Sequence, residues 1–177
     1  MGAALVTGAD IRAFIEDYFQ AWGGTDEDRI LSYYADTVTV AIPGMVMEGK
    51  AALRDQFVRP FITGFPGNHH VVKKMIFGTN VVVVEWNFEA DHTGPFAGRA
   101  ATGVGVSAPG CGVYEFDPLS RKITAARIYL ELTTLLKQIS FNQPEVLQDL
   151  LIAWFASRAV STSGVSPSSW GKTRHGI

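Results

Sequence analysis

Apolar residues recur in the first part of this chain at helical spacing. Ile11, Phe14, Ile15, Tyr18, Phe19 and Trp22 fall at i, i+3, i+4 and i+7, which predicts an amphipathic helix. Thr7 followed by Asp10 resembles a capping box at its start. Gly23-Gly24 stops it. Thr25 recaps the chain at once, with Asp26, Glu27 and Asp28 in a first turn where the helix dipole favours acids. This second helix is short and runs to about Tyr34. Val38 to Ile42 reads as a strand closed by Pro43-Gly44, and Met45 to Glu48 can pair back on it. A third helix runs from about Lys50 to Ile62, with Leu53, Phe57 and Phe61 on one face and Pro60 bending or tightening its end. Phe65-Pro66-Gly67-Asn68 is a loop.

The period then changes from helical to two. Strands are expected at about His70–Phe77, Val81–Asp91, Arg99–Ser107, Gly112–Phe116 and Ile123–Leu130. Gly78-Thr79-Asn80 makes the first hairpin turn, and Pro109-Gly110 reads as a bulge or corner. Helices followed by an antiparallel meander define an α+β order. The predicted architecture is a cone-shaped, strongly curved, mostly antiparallel sheet, covered on one face by three N-terminal helices. Such a sheet leaves a conical pocket. After Glu131 the chain is helical again. Pro144 opens an appended helix with Val146, Leu147, Leu150, Leu151, Trp154 and Phe155 as its apolar stripe. From Ser161 onward Ser, Thr, Gly and Pro dominate. The expected division is therefore a domain over 1–140, an appended helix over 141–160 and a disordered tail over 161–177.

The stretch VVVVEWNFEADHTGPFAG, Val81 to Gly98, carries the best chemical lead. Alternation puts Val82, Val84, Trp86, Phe88, Ala90 and His92 on one face, apolar until it ends in an imidazole. On the later strands Gly112, Tyr114 and Phe116 share a face, as do Ala126, Ile128 and Leu130. The expected pocket is thus aromatic and aliphatic, walled by Trp22, Trp86, Phe88, Tyr114, Phe116 and Ile128, with His92, Tyr18 and Tyr114 as its polar groups. That composition suits a flat, hydrophobic ligand with a few oxygens. His69 and His70 are adjacent, so they point to opposite faces, and with His92 they give no metal-ligand spacing. No metal is expected.

Composition narrows the class. Of 177 residues 47% are hydrophobic, enough for a core. Net charge is −2 with no basic stripe, which argues against nucleic acid as a partner. No apolar run is long enough to cross a membrane. The N-terminal MGAALVTG lacks the charged region of a signal peptide. The single cysteine, Cys111, fits a reducing cytoplasm and has no cationic neighbour to activate it.

EWNFEADHTGPFAG, followed by Thr102-Gly103 and later by YLELTTLLKQI, resembles the SnoaL-like polyketide cyclases of the nuclear-transport-factor-2-like superfamily. The resemblance covers roughly Ile11 to Ser140. It implies a cofactor-independent enzyme that closes or isomerises a hydrophobic, oxygenated molecule, polyketide- or terpenoid-like, with a base removing an activated proton and the pocket stabilising an enolate. His92 matches the family's pocket histidine, and Tyr18 sits where related steroid isomerases keep an enolate-stabilising tyrosine. The resemblance also implies a homodimer. The family's acids are not matched. Arg99 to Ser107 has no carboxylate, Ile42 stands where steroid isomerases place their base, and Gly112 where their second acid falls. His92 as base is the expectation, with Glu131 as an alternative base if the strand end turns inward. A non-catalytic small-molecule binding module on the same fold is the other reading.

Overall fold

The computed structural model describes residues 8–140. The expected cap at Thr7, the helix over 141–160 and the tail over 161–177 lie outside the described residues. Helix α1 spans Gly8–Trp22 and buries the stripe of Ile11, Ile15, Tyr18, Phe19, Ala21 and Trp22. It ends where Gly23 and Gly24 donate back to the carbonyls of Gln20 and Ala21. Asp26 rather than Thr25 caps α2 (Glu27–Ser32), its side chain accepting from the Arg29 amide. Strand β1 (Tyr34–Ile42) begins four residues earlier than the apolar pattern indicates and pairs antiparallel with β2 (Met45–Glu48).

The third helix is interrupted. It comprises α3 (Gly49–Leu53), a π-helical turn (Arg54–Val58) and α4 (Arg59–Gly64). Pro60 has no N–H to give, and its ring crowds the carbonyl four residues back. The chain widens ahead of it, so that the Arg59 amide reaches the Arg54 carbonyl instead.

Four strands follow: β3 (His69–Gly78), β4 (Val81–Asp91), β5 (Gly105–Asp117) and β6 (Lys122–Leu130), and then α5 (Leu132–Ile139). The sheet has six strands in the order β2-β1-β6-β5-β4-β3 and is curved and unclosed. All neighbours are antiparallel except β1 and β6. Helix α1 lies along β3, α3 along β1 and α5 against β5. No helix among the described residues is long and apolar enough to cross a membrane.

One expectation is corrected. Arg99–Ser107 and Gly112–Phe116 are not two strands around a bulge at Pro109-Gly110. Residues 105–117 form one strand in unbroken register with β4. Pro109 is tolerated because its carbonyl side faces the point where β6 has ended, and that carbonyl accepts from the Glu131 amide at 3.0 Å. Further toward the start of β5, the Gln138 side chain of α5 substitutes for the missing strand. Its amide accepts from Ser107 N–H and donates to Ser107 C=O, each at 2.8 Å.

The glycines of that segment serve packing, not turning. Trp86 pairs across the sheet with Gly110, and a Cβ there would overlap its indole ring. A Cβ at Gly112 would likewise meet the Tyr114 ring. Gly110→Ala is therefore expected to destabilise the fold by about 1–3 kcal/mol through overpacking. Urea unfolding measures this, and an unchanged midpoint would mean that Trp86 can move aside freely.

Candidate functional site

Between the sheet and the helices lies a slot lined by Trp22 from α1, Phe57 and Phe61 from the third helix, His70 from β3, Trp86 and Phe88 from β4, Tyr114 from β5, and Ile128 and Leu130 from β6. Its volume is about 20 Å³. A ligand site of ordinary size is about 300–1,000 Å³. The expected conical pocket is thus nearly filled by its own aromatic walls.

His70 reaches this slot because of a bulge. Counting back from the Gly78–Val81 pair, an unbroken ladder would set His70 opposite Glu89, with its side chain on the outer face. Lys74 does pair in that register, with Glu85, but Val72 pairs with Trp86 and His70 with Phe88. The extra residue, Lys73, flips the parity of everything before it. The imidazole then stacks on Phe19 (4.7 Å between centroids, 5° between planes) and meets Trp86 edge-on at 4.8 Å. Its Nδ1 is buried without a partner. Burial, and to a smaller degree His69, pushes its pKa down to about 3, so the ring is neutral at ordinary pH.

Behind the slot stands a hydroxyl cluster. Tyr18 and Tyr34 share a 2.6 Å hydrogen bond, and the Tyr18 and Tyr114 rings lie 5.7 Å apart. Burial pushes the Tyr18 phenol up to about 12, with Tyr34, Trp22 and Tyr114 offsetting part of the effect. Burial raises Tyr34 and Tyr114 further, and Tyr18 adds to both shifts. All three are therefore neutral hydroxyl groups. The indole N–H groups of Trp22 and Trp86 are close to Tyr18 and Tyr114 but fall short of hydrogen-bond geometry, and both are buried without partners.

The expected site residues divide. Trp22, Trp86, Phe88, Tyr114 and Ile128 come together around the slot, and Tyr18 backs it. Phe116 does not join them; it packs edge-on against Phe14 at the other end of the sheet, beside Asp117 and Arg121. Glu131 is exposed on the outer face, in a depression with Lys74, Glu85 and Tyr129, so it offers the slot no base. It occupies the N-cap position of α5 without a side-chain capping bond.

His92 is also placed elsewhere. It is fully buried, but it does not line the slot. It fastens a loop. Its N–H donates to Val104 C=O at 2.9 Å, its C=O accepts from the Thr102 and Gly103 amides, and its Nδ1 lies 2.9 Å from Thr102 Oγ1. Next to it, the Thr93 and Gly94 amides donate to the Gly64 carbonyl at the end of α4, and a Cβ on Gly94 would overlap the Thr63 carbonyl. The ring packs on Phe65 at 5.2 Å. Burial, then the charge of Arg99, lowers its pKa. Alternation buries Val82, Val84, Trp86 and Phe88 on one face of β4, and His92 follows just past the strand's end. But Phe65 and Phe96 from neighbouring segments fill the space at the strand's end.

His70, Tyr34, Phe57, Phe61 and Leu130 were not among the candidates. Phe57 and Phe61 were legible as one helix face and Leu130 as an inward position. His70 was not legible, because no residue type marks Lys73 as a bulge. Among the described residues no three His, Cys, Asp or Glu side chains converge on a metal-sized site.

Residues 15–125 match the model of the SnoaL-like domain, so the chain belongs to that family. Solved structures share its fold. A protein described as a SnoaL-like polyketide cyclase from Jannaschia sp. CCS1 is 18% identical, with a TM-score of 0.65 over 75% of this chain and 92% of that one. AclR from Streptomyces galilaeus, described as a hydroxylase, is 17% identical, with a TM-score of 0.67 over 90% of this chain and 100% of that one. A protein of ketosteroid isomerase-like fold from Catenulispora acidiphila, in complex with trimethylamine, is 15% identical, with a TM-score of 0.58 over 71% of this chain and 91% of that one. No curated protein matches the sequence.

The depressed histidine has a consequence for stability. Above about pH 6.5 His70 is neutral in both folded and unfolded chains. As pH falls from there toward 3, the unfolded chain takes up a proton that the folded one resists, so stability declines. The lowered pKa of His92 acts in the same direction. Stability measured by urea unfolding should therefore fall between pH 7 and about pH 5, above the range where carboxylates protonate. His70→Phe, which keeps the stack on Phe19, should remove part of that fall. An identical pH profile in the variant would show that His70 is not held neutral by the fold.

Proposed function

We propose that this protein is a cofactor-independent cyclase- or isomerase-type enzyme that acts on a hydrophobic, oxygenated small molecule, polyketide- or terpenoid-like, by acid/base chemistry in the aromatic slot. One observation carries the reading: an unpartnered imidazole nitrogen and a cluster of neutral tyrosine hydroxyls flank the same apolar cavity. His70 takes the proton α to a substrate carbonyl. Tyr114, backed by the Tyr18–Tyr34 pair, donates to the oxygen on which enolate charge develops. Trp22, Trp86, Phe88 and Ile128 form the walls. The scheme needs no metal or cofactor. The family's polyketide cyclases give the reaction class, and the single cysteine fits a cytoplasmic setting.

The experiment is α-proton exchange in deuterated water, followed by NMR with bicyclic and tricyclic β-keto compounds. The parent should exchange at least one of them. Tyr114→Phe should slow exchange by about a hundred- to a thousand-fold, and His70→Gln by at least about a hundred-fold. Tight binding without exchange would favour the second reading, a non-catalytic binding module. A specific observation supports that alternative. No carboxylate lines the slot among the described residues, and an imidazole held to about 3 is a weak base.

We also propose a homodimer through the outer sheet face. Ile76 and Tyr129, 54% and 53% exposed, stand there around a depression of about 460 Å³ with Lys74, Val83 and Glu85. Light scattering should give twice the chain mass, and Ile76→Asp should shift it toward one. A single-chain mass for the parent at micromolar concentration would reject the dimer.

A further inference from the structure

The interior can accept a ligand only if a lining side chain moves, and the walls differ in freedom. Trp22, Phe57, Phe61, Trp86, Phe88, Tyr114 and Ile128 are buried. His70 and Leu130 alone among the lining residues are partly exposed. His70 also lines a second space: a groove of about 530 Å³ between α1 and β3, bordered by Phe19, Gln20, Gly23, Asn68 and Val72. Leu130 does not border that groove. The imidazole is therefore the partition between the groove outside and the slot inside.

Little fastens this partition. Its ring has no hydrogen bond to the described residues, and its Nδ1 is an unpartnered buried atom. It rests on ring contacts with Phe19, Trp86, Phe88 and Trp22. It sits on β3, the edge strand, three residues before the bulge at Lys73. Asn68, fully buried and with its Oδ1 unpartnered, borders the same groove and offers an acceptor to an imidazole that has swung outward.

We propose that the His70 imidazole is a removable plug, standing where one planar ring of an aromatic ligand goes, and that the groove between α1 and β3 is the way in. The inference rests on the slot being a ligand site, and the displaced imidazole stays beside the ligand on the groove side, where it serves as the base. It names the ligand's class from the shape of what the plug occupies. A ring in that place lies flat on Phe19 and edge-on to Trp86, as the imidazole does. The neighbouring rings of Trp22 and Trp86 carry indole N–H groups without partners, on the side of Tyr18 and Tyr114. The ligand therefore places a flat aromatic ring there. A puckered, saturated ring of the same size cannot lie flat on Phe19 as the imidazole does.

The test uses the full-length protein with 2-naphthol as a planar probe and decahydro-2-naphthol as its saturated counterpart, with affinity measured by equilibrium dialysis. His70→Gly should bind 2-naphthol at least about ten-fold more tightly than the parent, with one site per chain, and should prefer it at least about ten-fold over the saturated probe. Free imidazole should compete. Should the glycine variant not fold, the parent alone decides. Saturating 2-naphthol should move the His70 ring, followed by NMR, from a pKa of about 3 toward the ordinary value near 6.5. Ile128→Trp, which fills the slot from the opposite wall, separates the two ideas. Equal naphthol affinity in parent and His70→Gly, abolished in both by Ile128→Trp, would overturn the plug and leave the slot as a ligand site. Equal affinity untouched by Ile128→Trp would overturn the slot as well. Equal affinity for the two probes, or a His70 resonance that 2-naphthol leaves unmoved, would also overturn the plug.

Discussion

The indole of Trp86 lies across Gly110 on the neighbouring strand, closer than any side chain there would permit. Much of the structure depends on that contact. The inner sheet face carries a row of large aromatic rings, and a sheet has room for such rings only if something opposite them is thin. Gly110 and Gly112 supply that thinness on β5. In exchange the strand loses side-chain packing of its own, which weakens a strand interior. The loss is offset by the rings that fill the vacated space and by the unbroken ladder to β4. The short stretch of β5 beyond the end of β6 is sealed by Gln138 and the Glu131 amide.

The same aromatic density explains why the interior is closed. Rings from two helices and three strands meet at centroid distances of about 5–6 Å, and they bring polar atoms with them. Tyr18 and Tyr34 satisfy each other. The indole nitrogens of Trp22 and Trp86 and the Nδ1 of His70 do not find partners. A buried polar atom without a hydrogen bond is destabilising by roughly 1–3 kcal/mol. Three of them surround one cavity, so the fold carries that cost in one place. Every titratable group there is held in its neutral form by burial. The site therefore presents dipoles and one lone pair, not charges, which matches a neutral, oxygenated ligand better than an ionic one.

The His-Thr-Gly segment shows how one motif can be read in two ways. Its histidine is polar, buried and beside an apolar face, as a catalytic group would be. Its contacts are those of a fastening: four backbone and side-chain bonds to Thr102, Gly103 and Val104, with Thr93 and Gly94 tied to the end of α4. This clasp holds Phe96 against Phe61 and Phe65, which in turn support the helix wall of the slot. His92 bears on the site through packing, at a distance, rather than by facing it.

The helical spacing of α1, the alternation of β4 and β6, and the order of helices before strands are local patterns. They were legible in the sequence because burial of one stripe or one face repeats at a fixed period. That was enough to specify an α+β sheet and to bring Trp22, Trp86, Phe88, Tyr114 and Ile128 toward one interior. The resemblance to the SnoaL-like family added the family to which the chain belongs. What remained hidden depends on contacts between distant segments. Pro109-Gly110 reads as a break, yet β4 on one side and the end of β6 with the Glu131 amide on the other hold it in a strand. Phe116 has the right parity, but it sits past a register shift and too far along its strand to reach the slot. His70 has the wrong parity by count, and only the bulge at Lys73 turns it inward. A bulge shifts parity without a residue signature, because it is chosen by how two strands fit a curved sheet and the helix above it. Which histidine faces the cavity was therefore decided by the tertiary structure alone.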